Sequence, residues 1–317
     1  MGLYPRAIDL AAQLGLPRGP NSQAFFVDPA NGSDSNDGLR FEKPLLTLTA
    51  AEDLCVAGQN DAVIYLAGAS SLTLEAALTW DKSYTHFVGL SAPTPAGTRA
   101  RIFQDADLAD ASPLLTISAS GCIFKNFYIF QGVDDDGSLV NVSVTGSRNY
   151  FESIHFAGGG HATQAINGGA SLLINGGSEN LFHRCTIGVD TIAAATGMAG
   201  LVFAATGGAA RNYFRECHFS MYAGNAGAIF VEALGNSGLD RYHIFDNCLF
   251  SNLSATAMTQ AFAIAGGFDP ANKRFLLKDC VLIGAGKWDD GDTGLVYGNM
   301  DDVTGADTSG TLVELIS

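Results

Sequence analysis

A six-residue pattern returns six times along this chain at an almost fixed spacing, and that regularity decides most of what the chain can fold into. Phe124-Lys-Asn-Phe127-Tyr-Ile129 is followed by Phe151-Glu-Ser-Ile154-His-Phe156 and Phe182-His-Arg-Cys185-Thr-Ile187. Phe214-Arg-Glu-Cys217-His-Phe219, Phe245-Asp-Asn-Cys248-Leu-Phe250 and Leu277-Lys-Asp-Cys280-Val-Leu282 complete the series. The steps between first positions are 27, 31, 32, 31 and 32 residues, a period that marks a stacked repeat. Each copy follows a β-rich run (Leu114–Ile117, Leu139–Val144, Ser171–Ile174, Gly200–Phe203, Ala228–Val231, Ala261–Ile264), with a seventh run, Leu295–Tyr297, after the last copy. Gly/Ser/Asn turns such as Gly146-Ser147 separate run from motif, so a period reads strand, turn, strand, bend, strand, loop.

No period has room for a crossover helix. Parallel strands stacked once per turn without such helices make a β-solenoid, in which equivalent residues lie above one another at ~4.8 Å. The spacing therefore predicts three interior columns. Phe124, Phe151, Phe182, Phe214, Phe245 and Leu277 form the first; Phe127, Ile154, Cys185, Cys217, Cys248 and Cys280 the second; Ile129, Phe156, Ile187, Phe219, Phe250 and Leu282 the third. Asn149, Asn180 and Asn212, each two residues before its aromatic, are expected to form an amide ladder, every side chain bonding the one above. Eight of the nine prolines fall at or before Pro113, leaving only Pro270 in the repeat region, as uninterrupted interior strands require.

Composition agrees and excludes other classes. With 47% hydrophobic residues the chain can bury a large core, so disorder is excluded. Thirty-two acidic against 17 basic residues leave −15, which disfavours nucleic acid and anionic membranes as partners. Met1–Gly15 carries Arg6 and Asp9 and lacks the apolar stretch of a secretory signal. Thr191–Ala210 and His155–Ser178 are uncharged but broken by Gly, Thr, Ser or Asn, so neither is read as membrane-spanning. The Asn-x-Ser/Thr matches at Asn31, Asn141 and Asn252 are read as chance.

The segment ahead of the repeats differs. Tyr4–Leu14 is expected to be a short helix, with Pro5 in its first turn and Gly15 after its end, followed by a linker from Pro17 to Pro20. Residues 1–23 are read as an extended arm, 24–68 as the cap of the solenoid, 69–300 as its coils and 301–317 as an acidic tail. Within the cap, Phe25–Val27 leads into the loop Asp28–Gly38, and Thr49-Ala-Ala-Glu52 reads as a capping box opening a helix over Thr49–Ala57 that covers the open core. From Gly284 onward seven carboxylates face one cation, Lys287, a net of −6. The chain finishes in the apolar Leu312-Val-Glu-Leu-Ile316.

Strand, Gly-Ser-Asp-Ser-Asn-Asp-Gly38 loop, Lys43-Pro44, Thr47-x-x-Ala50 and Asp61-Ala-Val-Ile-Tyr-Leu-Ala-Gly68, followed by Asn-x-x-Phe-x-x-Cys-x-Phe coils, resemble right-handed parallel β-helix proteins of the pectin-lyase-like superfamily over roughly residues 24–283. The resemblance implies an all-β, single-stranded, right-handed parallel β-helix of about seven or eight coils. It specifies fold far better than function, because that superfamily includes polysaccharide lyases, glycoside hydrolases, phage tailspikes and non-enzymatic virion surface proteins.

The chemistry-bearing residues are read against their structural roles. Four of the six cysteines recur with the period and none sits two to four residues from another, so they read as reduced, buried packing residues rather than metal ligands. His183 and His218 alternate to the outside of the stack. The Asp34-Ser-Asn-Asp-Gly38 loop carries oxygen ligands, but it lacks a distal bidentate Glu and its turn chemistry suffices. Asp292-Thr293-Gly294 matches an aspartic-protease triplet without the second copy that mechanism needs. Glycan hydrolysis would need two carboxyl groups ~5–9.5 Å apart; Glu216 and Asp279 occupy equivalent positions two rungs apart, ~9.6 Å, with Asn247 between them. Against this, Lys125 over Glu152 and Arg215 over Asp246 read as cross-strand charge pairs on a solvated face. Trp80 and Tyr222 are read equally as aromatics of an exposed glycan surface or as packing residues.

The sequence thus assigns no catalytic, cofactor-binding or metal residue and no cofactor. The expected function is a non-enzymatic structural protein of a phage virion, a capsid decoration or surface spike located on the capsid surface. It would dock to the major capsid protein or another virion protein through residues 1–20, and the resemblance implies a homotrimer. The alternative is a tailspike-type protein that binds or cleaves a host surface glycan, as a polysaccharide lyase or glycoside hydrolase.

Overall fold

The computed structural model describes residues 10–265 and 273–289, together with the backbone of 296–298. Residues 1–9 of the arm, Pro270, the Asp292-Thr293-Gly294 triplet and the 301–317 tail lie outside the described residues. The chain is a right-handed parallel β-solenoid whose described strands fall into sheets of ten, seven and nine and one short pair, Ala209–Ala210 with Leu239–Asp240, giving about seven turns.

The aromatic columns set its register. Phe124, Phe151, Phe182, Phe214, Phe245 and Leu277 are successive partners in the ten-stranded sheet, every pair parallel. The strand spacing of ~4.8 Å is also a good distance for offset aromatic stacking. The four Phe–Phe steps from Phe124 to Phe245 accordingly have centroids 4.5–5.3 Å apart and planes within 10°. The column starts earlier than the repeat shows, with Phe25, Val63 and Phe87 in register beneath Phe124. The third column forms as expected, from Ile102 through Ile129 and Phe156 to Leu282.

The residue two after each first-column position turns the chain from the ten-stranded sheet into the nine-stranded one. Asn126, Ser153, Arg184, Glu216, Asn247 and Asp279 all take φ of 51–55°, a left-handed conformation that Asn and Asp tolerate and Arg and Glu adopt less readily. One residue therefore makes the corner. Just inside it, Cys185, Cys217, Cys248 and Cys280 donate Sγ–H to the carbonyls of Phe151, Phe182, Phe214 and Phe245, one rung below, at 3.3–3.6 Å.

The amide ladder forms with a different bonding scheme. Asn149 Oδ1 accepts from Cys122 N–H, Asn180 Oδ1 from Asn149 N–H and Asn212 Oδ1 from Asn180 N–H, at 2.8–3.0 Å. The amide nitrogens donate to Ala119, Gly146 and Gly177 carbonyls. Only Asn180 and Asn212 bond side chain to side chain, at 3.1 Å. Backbone groups at this turn would otherwise be orphaned, and they take most of the amide capacity. His243 occupies the next rung, its Nε2–H donating to Ala209 O at 3.1 Å.

Helix α2 (Leu48–Leu54) covers the open end, with Leu48 and Ala51 in the core cluster. It starts two residues before the expected capping box: Thr47 is the N-cap, its Oγ1 accepting from Ala50 N–H at 3.1 Å. It ends at Leu54, three residues short of Ala57. Glu52 is instead drawn to Lys82, 2.9 Å away, and is buried. In the preceding loop Asp34 accepts from Leu46 N–H, Thr47 N–H and Thr47 Oγ1, so its carboxylate ties the turn to α2. Helix α1 (Leu10–Gln13) is not an extended arm. Ala11 and Leu16 are buried against Phe26, Ile64 and Val88 on the outer face of the ten-stranded sheet. Val296–Gly298, overlapping the seventh β-rich run read at Leu295–Tyr297, pairs with Phe275–Leu277 in the ten-stranded sheet, whereas the earlier runs lie in the seven-stranded one. Among the described residues no helix is long and apolar enough to cross a membrane.

Candidate functional site

Among the described residues, the outer edge of the ten-stranded sheet carries an ordered row of charge. Alternation sends Lys125, Glu152, His183, Arg215, Asp246 and Lys278 outward in one row, next to the row of left-handed corners. Over the earlier corners the chain makes one long detour: the strand ending at Leu90 reaches its successor only at Arg101, whereas Lys125 is followed by Tyr128 after a one-residue corner at Asn126. This loop, Ser91–Thr98, is the wall of a groove. A cavity of about 460 Å³ lies between Leu90, Pro93, Lys125, Asn126, Glu152 and Arg184. It continues into one of about 230 Å³ where Pro95 faces Thr186, Glu216 and His218.

The wall is fastened by its backbone. Asn126 Nδ2 donates to the Gly89 and Ser91 carbonyls, both at 2.8 Å. Gly89 is obligatory beneath it, since a Cβ there would sit 2.2 Å from Asn126 O. At the tip Thr186 Oγ1 donates to Pro95 O at 2.5 Å. Gly97 N–H donates to His155 Nδ1 at 3.1 Å, and His155 Nε2–H donates to Gly188 O at 2.8 Å. These bonds require a neutral imidazole, and burial holds the His155 pKa below its ordinary value.

The carboxylates of the row are already partnered. Glu152 meets Lys125 at 3.0 Å and His183 Nδ1 at 3.8 Å, so the first expected pair forms. The second does not: Asp246 accepts from Tyr213 Oη at 2.5 Å and meets Lys278 at 3.3 Å, while Arg215 lies 3.5 Å from Glu216. Glu216 is bonded by Arg184 Nε at 2.8 Å and has His183 Nε2 at 3.7 Å. The Arg184 bond holds the Glu216 carboxyl below the usual carboxylate range, and the Tyr213 hydroxyl, then Lys278, does the same for Asp246. A general acid at neutral pH needs the opposite shift. Glu216 and Asp279 stay two rungs apart, stacked through Asn247, and only Glu216 borders the groove. His183 and His218 point outward as expected, His218 bonding Ser251 Oγ at 2.6 Å. Tyr222 is exposed, but Trp80 is buried and donates to Thr85 Oγ1. Among the described residues no group of three or more His, Cys, Asp or Glu side chains could hold a metal ion.

All six cysteines are unpaired; five are buried and Cys280 is half-buried. Burial pushes the Cys55, Cys122, Cys217 and Cys248 thiols up, away from the reactive thiolate. Denatured protein should titrate six thiols, and in native protein all should react slowly, because the half-buried Cys280 is also pushed up, by its bond with Cys248 and by burial. Fewer than six, or a fast buried thiol, would contradict this assignment.

Neither a protein-family model nor a curated protein sequence matches the chain. Solved structures do. A rhamnogalacturonan lyase superposes with a TM-score of 0.56 at 15% identity, covering 82% of this chain and 68% of that one. A pectate lyase gives 0.52 at 16%, with 95% and 89% covered. Pectin methylesterase from Erwinia chrysanthemi gives 0.55 at 16%, with 94% and 86% covered. At these identities the likeness shows the fold, the right-handed parallel β-helix of pectin-lyase-like proteins.

Proposed function

We propose that this chain is a non-catalytic structural β-helix, a decoration or spike on the surface of a phage-type virion. The observation that carries the non-catalytic half is the state of the groove: Glu152 and Glu216 are each neutralised by a neighbouring cation, and among the described residues no other carboxylate lines the pocket that holds Glu216. Support for the virion half is the resemblance of the coils to virion surface β-helices. Few charges and six free thiols fit an assembled scaffold better than a secreted enzyme in an oxidising environment. Incubated with bacterial capsule, lipopolysaccharide or pectin, the protein should release no new reducing ends and no unsaturated sugars. Turnover that is lost in Glu216→Gln or Asp279→Asn would reverse the assignment.

Docking to the particle is assigned to the extreme N-terminus, ahead of the buried part of α1. Removal of residues 1–9 should abolish attachment to particles and leave the β-helix folded, with a cooperative unfolding midpoint. Removal of residues 1–20 should also lower that midpoint, because it strips Ala11 and Leu16 from Phe26, Ile64 and Val88. Wild-type attachment by the shorter truncation, or absence of the protein from purified virions, would refute the docking role. A second reading is favoured by the groove itself: its mixed lining of Pro93, Asn126, Lys125 and Arg184 suits a host surface glycan that is bound without being cut. Retention of the protein on immobilised glycan, lost in Lys125→Ala, is its test.

A further inference from the structure

At the corner leading from the nine-stranded to the seven-stranded sheet, the core is polar. Gln104 ends one strand of the nine-stranded sheet and Gln131 follows the next, one position beyond the Phe103–Phe130 pair, and both are buried. Gln164 comes from the loop after the next strand and reaches back to donate Nε2–H to Gln104 Oε1 at 3.4 Å. Asn141 enters from the adjoining strand, its Cβ 3.0 Å from where a Cβ at Gly158 would lie, and Gly158 is the residue one rung above Gln131. Gln131, Asn141 and Gln164 are all 0% exposed.

The nitrogen end of each amide is fixed by an acceptor. Gln131 Nε2 donates to Ala111 O at 2.5 Å, Asn141 Nδ2 to Ile129 O at 3.1 Å and Gln164 Nε2 to Gln104 Oε1. That leaves Gln131 Oε1, Asn141 Oδ1 and Gln164 Oε1 buried with no hydrogen-bond partner among the described residues. Flipping an amide would set its oxygen against a carbonyl, so the three free acceptors are a consequence of the network. Buried carbonyl-type oxygens left without partners are costly, and three in one corner call for a ligand.

We propose that this corner is a binding site for an alkali-metal ion held by the three amide oxygens. One water has protons for only two of the three oxygens; a cation within reach of all three would satisfy them together. The oxygen-only donor set suits a hard cation. Among the described residues no carboxylate is bonded to these three amides to offset a divalent charge, and Asp135, which accepts from the Ser138 Oγ beside Gln104, is only partly buried. A monovalent ion on neutral carbonyl oxygens has the chemistry of a potassium filter site, and the net charge of −15 favours its entry.

Crystals soaked in rubidium chloride should show an anomalous peak within coordination distance of all three oxygens. In solution, the unfolding midpoint should be about 3 °C higher in 0.2 M potassium chloride than in choline chloride at the same ionic strength. Gln164→Met, which keeps the volume and removes one oxygen, should abolish that difference while remaining folded by circular dichroism. Ordered water without anomalous signal at this corner, or equal midpoints in the two salts, would overturn the proposal.

Discussion

Phe182→Ala is expected to destabilise the solenoid by about 3–5 kcal/mol, among the largest losses available to a single substitution. Phe182 is fully buried and stacks on Phe151 at 4.5 Å and Phe214 at 4.7 Å, with Phe156 edge-on at 6.2 Å. The substitution removes a side chain and interrupts the column on both sides. Strand spacing prevents the neighbouring rungs from closing the gap, so the cavity term is retained in full. Phe182→Leu reproduces what Leu277 does naturally at the end of the column and should cost under about 1.5 kcal/mol. Val281→Ala, at a position 53% exposed, should fall within about 0.5 kcal/mol of wild type. Urea unfolding midpoints compared at constant slope measure all three. A loss below 1 kcal/mol for Phe182→Ala would mean that the column is not the source of stability.

The columns were legible because each is carried by side chains that repeat with the coil, and period alone fixes which residue lies above which. What the period does not carry was missed. Phe25, Val63 and Phe87 belong to the same column, but their coils lack the Cys-x-Phe continuation. The start of α2 could not be settled by its two threonines: Thr47 prevails because a helix begun there turns Leu48 and Ala51 into the core, and Glu52 goes to Lys82, 30 residues away. Of the two readings open for Trp80, packing is the one that holds: it closes the core next to Phe87 and Phe124. The groove was the largest omission. Its one sequence signal is the Pro-rich detour between Leu90 and Arg101, and the loop is set in place by bonds from Gly97 to a histidine 58 residues away and from Pro95 to a threonine 91 residues away. No local pattern encodes such contacts. Charge stacking was half legible for a similar reason. Lys125 meets Glu152 at 3.0 Å with His183 farther off at 3.8 Å, whereas Asp246 has a tyrosine hydroxyl and a second cation within reach.

The acid sensitivity of the fold should be concentrated at His243, and His243→Asn should remove much of it. Burial pushes the imidazole of His243 down to about 3; in the unfolded chain it titrates near ~6.5. The unfolded state therefore takes up the proton first. The contribution of neutral His243 is complete above about pH 6.5 and is lost progressively as pH falls toward 3, at most on the order of 4–5 kcal/mol across that window. His86, held down to about 4 by burial, acts in the same direction. The depressed carboxyls of Glu216 and Asp246 add their losses only below the usual carboxylate range, in wild type and variant alike. Asparagine is the residue that the three preceding rungs use at this position. Its Nδ2 would donate to Ala209 O as Asn212 donates to Gly177 O. Its Oδ1 would accept from Asn212 N–H, a role that the unpartnered Nδ1 of His243 does not fill. Against this stands the loss of ring contacts with Phe203 at 4.4 Å and Phe275 at 5.7 Å, so stability near pH 7.5 should change by no more than about 1–2 kcal/mol. Between pH 7 and 4 the variant should lose clearly less stability than wild type, read from urea midpoints at half-unit intervals. Parallel pH profiles for the two proteins would show that His243 is already protonated in the fold, or that the acid transition starts elsewhere.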